Sequence, residues 1–218
     1  MKFLVFLSFL LLSSSAFSFD VYRKCDFHTR SDRAMLECVD FVSSEGLSSD
    51  QLRLCDFHTN SDFGFLRCLR NYKTLKITSD SLKKCDFASD TDYGLFECLN
   101  LINNEKVHPD VLKTCDFRTQ NDDWMIDCVQ ILKNKKDYKA IAKSCDFYMN
   151  TDRGFVQCLS MSDVDFAKMK NCDFFTLTDI NALRCYDISV ELNLGREKLR
   201  KCGFYTNTDR GFFECLRM

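Results

Sequence analysis

The sequence contains little that is typical of catalysis, metal binding or a membrane span. Its 218 residues include only three histidines and one tryptophan. No G-x-S-x-G, H-E-x-x-H or glycine-rich phosphate loop occurs. No segment beyond residue 18 is long and apolar enough to cross a bilayer. We therefore predict a protein that is not an enzyme, needs no cofactor or metal ion, and has no membrane span.

Proline and unbalanced charge are also scarce. A single proline and the absence of strand-like alternation argue against a β-sandwich. The formal net charge is only -2, whereas proteins that bind nucleic acid or anionic membranes usually carry a basic surplus. Neither partner is therefore expected.

The first residues predict a secretory signal. Lys2 is followed by the apolar run FLVFLSFLLL and then by small residues at Ala16 and Ser18. A basic start, a short apolar segment and small residues before a cleavage point are the parts of a signal peptide. We predict a signal peptide over residues 1–18 and a single secreted, extracellular repeat domain over residues 19–218. A buried N-terminal helix is the alternative.

Fourteen cysteines follow the predicted signal, in seven units of the form Cys-x12-Cys. The units begin 30 residues apart, except for one step of 27, and this regularity indicates a repeat protein. In an exported chain an even number of cysteines predicts disulfides, each contributing about 3 kcal/mol. Because the spacing inside a unit never changes, we favour bridges within units over bridges from one unit to the next. The favoured pairs are Cys25–Cys38, Cys55–Cys68, Cys85–Cys98, Cys115–Cys128, Cys145–Cys158, Cys172–Cys185 and Cys202–Cys215.

Each unit is predicted to hold two helices. Thr29 and Asp32 fit a Ser/Thr-x-x-acid capping pattern, which recurs in all units except the fifth, where Met149 replaces the hydroxyl residue. After the cap, apolar residues recur at helical spacing, and a shorter helix precedes the first cysteine. The predicted fold is all-α, with seven disulfide-stapled helix-turn-helix repeats of about 30 residues stacked as an α-solenoid.

A phenylalanine lies two positions after the first cysteine in every repeat. Aromatic residues at a fixed position of a helical repeat usually fill the core, so we predict that these side chains are buried. A binding role is the alternative. We call them the turn phenylalanines: Phe27, Phe57, Phe87, Phe117, Phe147, Phe174 and Phe204.

The residue before each turn phenylalanine is also nearly constant. We call these residues the turn aspartates and predict hydrogen bonds to turn amides, with calcium binding as the alternative. His28 and His58 occupy equivalent positions, where a shared surface metal is conceivable but two plain exposed side chains are favoured. The turn aspartates are Asp26, Asp56, Asp86, Asp116, Asp146 and Asp173, and Gly203 replaces the seventh.

Two further positions supply candidate binding residues. Glycine recurs early in the second helix, as in Gly64, which predicts the close approach of another backbone. Trp124 replaces it in the fourth repeat and either points outward or fills a widened gap in the core. The residue three after the first cysteine, which we call the junction residue, varies and is expected to face solvent. The candidate binding residues are Trp124, Arg118, Tyr148, Phe175 and Tyr205.

The predicted signal, the 14 cysteines and the repeated "CDF…T.TD.GF..C" pattern resemble the cysteine-rich salivary or venom secretions of arthropods, in particular aphid-type salivary effectors. That resemblance implies delivery into a host and interference with host molecules. We therefore predict, as the leading hypothesis, a secreted binding or effector protein that acts by contacting an extracellular protein. The resemblance implies that this partner belongs to a host. The alternatives are a carrier of small apolar ligands in a phenylalanine-rich interior and a disulfide-linked matrix protein.

Overall fold

A computed structural model describes residues 20–161 and 164–218, so the predicted signal peptide lies outside the described residues. The described residues form helices and connecting loops without a strand, which confirms the predicted all-α repeat solenoid. None of their helices has the length and apolar character needed to cross a membrane. The helices are α1 (20–28), α2 (Asp32–Glu45), α3 (Ser49–Phe57), α4 (Asp62–Asn71), α5 (Ser79–Ala88), α6 (Asp92–Asn103), α7 (Pro109–Asp116), α8 (Asp122–Leu132), α9 (Tyr138–Tyr148), α10 (Asp152–Ser160), α11 (Phe166–Phe175), α12 (Asp179–Glu191), α13 (Arg196–Tyr205) and α14 (Asp209–Arg217).

Each repeat consists of an odd-numbered helix, a tight turn and an even-numbered helix. The first cysteine lies near the end of the odd-numbered helix and the second in the even-numbered helix, and a disulfide joins them. All seven bridges connect cysteines of the same repeat, with Cα–Cα distances of 5.5 to 5.7 Å. The predicted pairing within repeats is confirmed, and no cysteine remains free.

The predicted caps of the even-numbered helices were wrong by two residues. Ser61, not Thr59, caps α4, because the Gly64 N–H donates to Ser61 Oγ at 3.0 Å. The Thr59 hydroxyl instead donates to the Cys55 carbonyl at 2.9 Å, which also accepts from the His58 N–H at 3.3 Å at the end of α3. The same division holds in every repeat except the fifth, where Met149 has no hydroxyl to donate. The caps are Ser31, Ser61, Thr91, Asn121, Thr151, Thr178 and Thr208.

The helices form two compact units. Unit 1 contains repeats 1–3 and its described part runs from residue 20 to Val107, whereas unit 2 contains repeats 4–7 over His108–Met218. In unit 1, α4 packs against both α2 and α6. In unit 2 the even-numbered helices α8, α10, α12 and α14 pack in succession, and so do the odd-numbered helices α7, α9, α11 and α13. The prediction of one repeat domain over residues 19–218 stays a prediction.

The core of each unit lies between these helices and includes the disulfides. Leu52 and Leu82, three positions before the first cysteine, are fully buried, as are Phe65, Phe96 and Phe212 of the even-numbered helices. The sulfur atoms therefore lie within an apolar core that continues from repeat to repeat. Burial of this kind is what stacked repeats gain over an isolated one.

Within each unit, neighbouring repeats are also joined by an aspartate in the first turn of the later repeat's even-numbered helix. Asp62 of the second repeat accepts hydrogen bonds from the Arg30 N–H at 2.9 Å and the Ser31 hydroxyl at 2.7 Å, both in the first repeat. The carboxylate thus binds the loop that caps the preceding even-numbered helix. We call these residues the first-turn aspartates: Asp32, Asp62, Asp92, Asp122, Asp152, Asp179 and Asp209.

The repeated glycine makes room for these carboxylates. A Cβ atom at Gly64 would lie 2.2 Å from the Asp92 carboxylate, and one at Gly154 would lie 2.3 Å from the Asp179 carboxylate. The predicted close approach is therefore real at these two glycines, but the approaching group is a side chain of the next repeat rather than a backbone.

Candidate functional site

The turn phenylalanines are the most unusual feature of the surface. All seven are 77 to 84% exposed, so the prediction that they fill the core was wrong. Two residues rotate a helix by about 200°, and because the first cysteine faces the core, the phenylalanine two positions later faces away from it. The core position is filled by other aromatic side chains, such as Phe65 and Phe212.

Six of the seven exposed rings contact the junction residue that follows them. Phe57 packs edge-on against His58 with ring centres 5.0 Å apart, and Phe147 packs against Tyr148 in the same way at 5.0 Å. The guanidinium of Arg118 lies 5.6 Å from the centre of the Phe117 ring. Such contacts limit ring motion at six of the turn phenylalanines, whereas Phe87 is followed by Ala88, which has no ring or guanidinium to pack against it.

Several junction residues lie between repeats rather than on an open surface. His28 Nδ1 lies 2.9 Å from the Asp56 carboxylate, and His58 Nδ1 lies 2.9 Å from the Asp86 carboxylate. The prediction of plain exposed histidines was wrong, because the next repeat covers both rings. Among the residues that the structure describes, no group of three side chains is arranged to hold a metal ion.

The turn aspartates are the partners of these junction residues. Asp56 and Asp86 bond to histidines of the preceding repeat and Asp146 lies 3.6 Å from Arg118 Nε, so the predicted local bonding to turn amides is replaced at these positions. In the seventh repeat Gly203 takes the aspartate's place. A Cβ atom there would lie 2.1 Å from the Phe175 ring, so only glycine leaves space for that ring.

The candidate binding residues are therefore placed differently from one another. Arg118, Tyr148 and Phe175 are partly buried at repeat junctions, and the Tyr148 ring stacks on Phe166 at 6.4 Å. Tyr205 is 80% exposed. Trp124 is partly exposed at the start of α8, between the two predicted placements. A binding role for these five residues stays a prediction.

A basic residue accompanies every turn phenylalanine, and sequence reasoning missed it. It lies two positions before the first cysteine, and therefore four positions before the phenylalanine on the same helix face. The sevenfold recurrence was visible once the repeats were aligned. We call these residues the stripe cations, and all seven are exposed: Arg23, Arg53, Lys83, Lys113, Lys143, Lys170 and Arg200.

The stripe cations differ from neighbouring lysines in their pairing. Lys84 pairs with Asp80 at 2.5 Å and Lys201 pairs with Glu197 at 3.0 Å, each within one helix. Within the described ranges, none of the stripe cations has a carboxylate oxygen within 4.0 Å. Their positive charge is therefore available to a partner.

Several carboxylates near this surface in unit 2 are already paired or desolvated. A hydrogen bond from Lys139 lowers the pKa of Asp110, and one from Lys201 lowers the pKa of Glu197. Burial, with a smaller contribution from Asp179, raises the pKa of Asp173 above its usual range. Asp110 and Glu197 are therefore paired with other lysines rather than with the stripe cations.

A surface groove lies beside one turn phenylalanine, Phe57. This groove of about 530 Å³ in unit 1 is lined by Leu54, Phe57 and Tyr72 together with Arg53 and Lys83, among others. Its wall thus combines a turn phenylalanine with two stripe cations. A ligand that fits this surface must satisfy both apolar and positively charged groups.

Comparison with protein-family models, with curated proteins and with solved structures found no match to this chain. The function is therefore argued from the turn phenylalanines and the stripe cations.

Proposed function

We propose that this chain is a secreted, non-enzymatic binding protein that acts through protein–protein contacts made by its turn phenylalanines. The observation that carries this proposal is the exposure of all seven rings, at 77 to 84%, on a disulfide-linked frame. Exposed aromatic side chains are enriched where proteins bind each other. Rings that are already oriented lose little conformational entropy on binding.

Secretion is the second part of the proposal. Seven disulfides within the chain fit an oxidising, extracellular compartment, and the predicted signal peptide would deliver the chain there. The resemblance to arthropod salivary and venom secretions suggests extracellular proteins of a host as the first partners to test.

A carrier of small apolar ligands is the second candidate. The groove of about 530 Å³ beside Phe57 and another of about 610 Å³ beside Phe166 have the volumes of ligand sites. Both are lined partly by charged side chains, which favours a partner with polar groups. The matrix hypothesis has less support, because every cysteine is paired within the chain and none remains for a bond between chains.

The proposal is tested by selecting peptides from a displayed random library on the oxidised protein. A variant with all seven turn phenylalanines changed to serine removes the proposed surface while sparing the core. Phe63→Ser is the matched control, because Phe63 is also exposed, at 68%, but lies on α4. Circular dichroism checks that both variants keep their helices.

We expect selected peptides to bind the wild type and Phe63→Ser equally and to lose at least tenfold in affinity for the seven-serine variant. Peptides that bind this variant as tightly as the wild type would refute the proposal. So would a failure to select any peptide. Retained binding of a fatty acid by the seven-serine variant would favour the carrier instead.

A further inference from the structure

In unit 2 the stripe cations and the turn phenylalanines form one continuous stripe. Each odd-numbered helix carries one stripe cation, and a turn phenylalanine lies four residues later, at the end of the helix or, for α7, directly after it. Helices α7, α9, α11 and α13 pack in that order. We call this set the unit 2 stripe: Lys113, Phe117, Lys143, Phe147, Lys170, Phe174, Arg200 and Phe204.

The free charge of the unit 2 stripe is positive. Its four cations have no carboxylate within 4.0 Å in the described part of the chain. By contrast, Asp110 pairs with Lys139 at 2.9 Å, Glu197 pairs with Lys201 at 3.0 Å and Asp146 lies 3.6 Å from Arg118. The stripe itself therefore offers cations without a charged partner and exposed aromatic rings, and their complement is a partner that carries carboxylates and apolar side chains.

The spacing of the stripe fits an extended chain. Axes of packed helices lie about 8–10 Å apart, and extended or polyproline II chains advance about 3.1–3.3 Å per residue. One repeat therefore corresponds to about three residues of an extended partner, and four repeats to roughly 12 residues. A side chain at every third position would meet an equivalent ring each time.

The neighbouring acids favour a polypeptide over an anionic bilayer. Asp116 and Asp146 directly precede Phe117 and Phe147, and the Asp146 side chain is 46% exposed. A bilayer that buries these rings would also press its negative headgroups against the carboxylates, which is unfavourable. An extended peptide places its own carboxylates beside the cations only.

We infer that the unit 2 stripe binds an extended, acidic polypeptide segment that has an apolar side chain at about every third residue. This inference rests on the proposed function and adds the chemical class of the partner. The apolar side chains pack on the turn phenylalanines, and the carboxylates pair with the stripe cations.

The test uses the whole oxidised protein and a labelled synthetic peptide, Leu-Pro-Glu repeated four times, with binding measured by fluorescence anisotropy. A peptide of the same composition in shuffled order tests the period, and Leu-Pro-Lys repeated four times tests the charge. The variant Lys143→Ser/Lys170→Ser removes two stripe cations. Lys201→Ser is the matched control, since Lys201 is exposed on the same layer of helices but paired.

We expect each stripe cation removed to weaken binding of the acidic peptide by about fivefold, the effect of losing one exposed ion pair. Lys201→Ser should bind within about twofold of wild type, since its charge is already paired. High salt should weaken binding as well. The shuffled and the lysine peptides should bind more weakly than the acidic one.

Equal binding of the acidic peptide to the wild type and the double variant would overturn the inference. If Phe147→Ser still weakens binding in that case, the proposed function stands and only the acidic class falls. If neither the cations nor Phe147 matters, both fall. The protein could instead bind vesicles that contain phosphatidylserine, lose that binding in the double variant, and fail to bind the acidic peptide. That outcome would assign the stripe to a membrane.

Discussion

The clearest quantitative prediction concerns Asp179, the first-turn aspartate of the sixth repeat. Its side chain is 7% exposed and accepts hydrogen bonds from the Asn150 N–H at 3.0 Å, the Thr151 N–H at 2.8 Å and the Thr151 hydroxyl at 2.6 Å. These three donors belong to the fifth repeat. The carboxylate therefore links two repeats, and Asp179→Ala removes the link without touching a disulfide.

The size of the effect follows from these contacts. A hydrogen bond to a charged group contributes about 1.5–3 kcal/mol, but Asn150 and Thr151 are exposed enough for water to replace part of the loss. The negative charge at the start of α12 adds about 0.3–1 kcal/mol. We expect Asp179→Ala to lower the free energy of unfolding by about 2–3 kcal/mol.

The control is Asp32→Ala. Asp32 holds the same position in the first repeat but is exposed, and among the described residues it accepts no hydrogen bond from another repeat. Its removal should cost only the helix-terminus contribution, about 0.3–1 kcal/mol. Unfolding in guanidinium chloride, followed by circular dichroism without reductant, measures both variants. Equal losses for the two would refute the role given to the inter-repeat carboxylate.

Three further predictions test the packing. Phe57→Ser should change the free energy of unfolding by less than about 0.5 kcal/mol, whereas Phe65→Ala should lower it by about 3–5 kcal/mol. Equal melting temperatures of the two variants would contradict the assignment of Phe57 to the surface and Phe65 to the core. Burial raises the pKa of Asp173, so its charged form opposes folding at neutral pH and protonation favours folding. Asp173→Asn should therefore raise the melting temperature at neutral pH, and this increase should shrink as the pH falls through the pKa of Asp173. An increase that does not depend on pH would argue against the buried charge as its cause. Gly203→Ala should lower the free energy of unfolding by about 1–3 kcal/mol, because a Cβ atom there would lie 2.1 Å from the Phe175 ring. Gly211→Ala, with its nearest contact at 3.3 Å, should change it by no more than about 0.5 kcal/mol. Similar melting temperatures of the two variants would contradict the steric argument.

The fold could be predicted because its signals are local and recur. Cysteine spacing, helical periodicity and the constant 12 residues between bridged cysteines all lie within one repeat. The pairing of Cys55 with Cys68 could likewise be inferred from a spacing that never changes.

The surface could not be predicted in the same way, because it depends on contacts between repeats. The turn phenylalanines were expected in the core since aromatic residues usually lie there, but the cysteine two positions earlier already occupies the buried face. Similarly, Thr59 and Ser61 are both good capping residues, and only the structure shows which one reaches the Gly64 N–H. The partner of His58 lies 28 residues away, beyond any local pattern.

The junction pairs mean that the repeats cannot be exchanged freely. Histidine or arginine at the turn of one repeat meets aspartate in the next, whereas Phe175 meets Gly203. Moving the seventh repeat behind the second would set His58 against a glycine and remove its acceptor, and moving the third behind the sixth would drive an aspartate into the Phe175 ring. The junction pairs therefore restrict the order of the repeats, and a segment that carries one pair intact, such as residues 58–86 with His58 and Asp86, begins directly after one turn phenylalanine and ends just before the next.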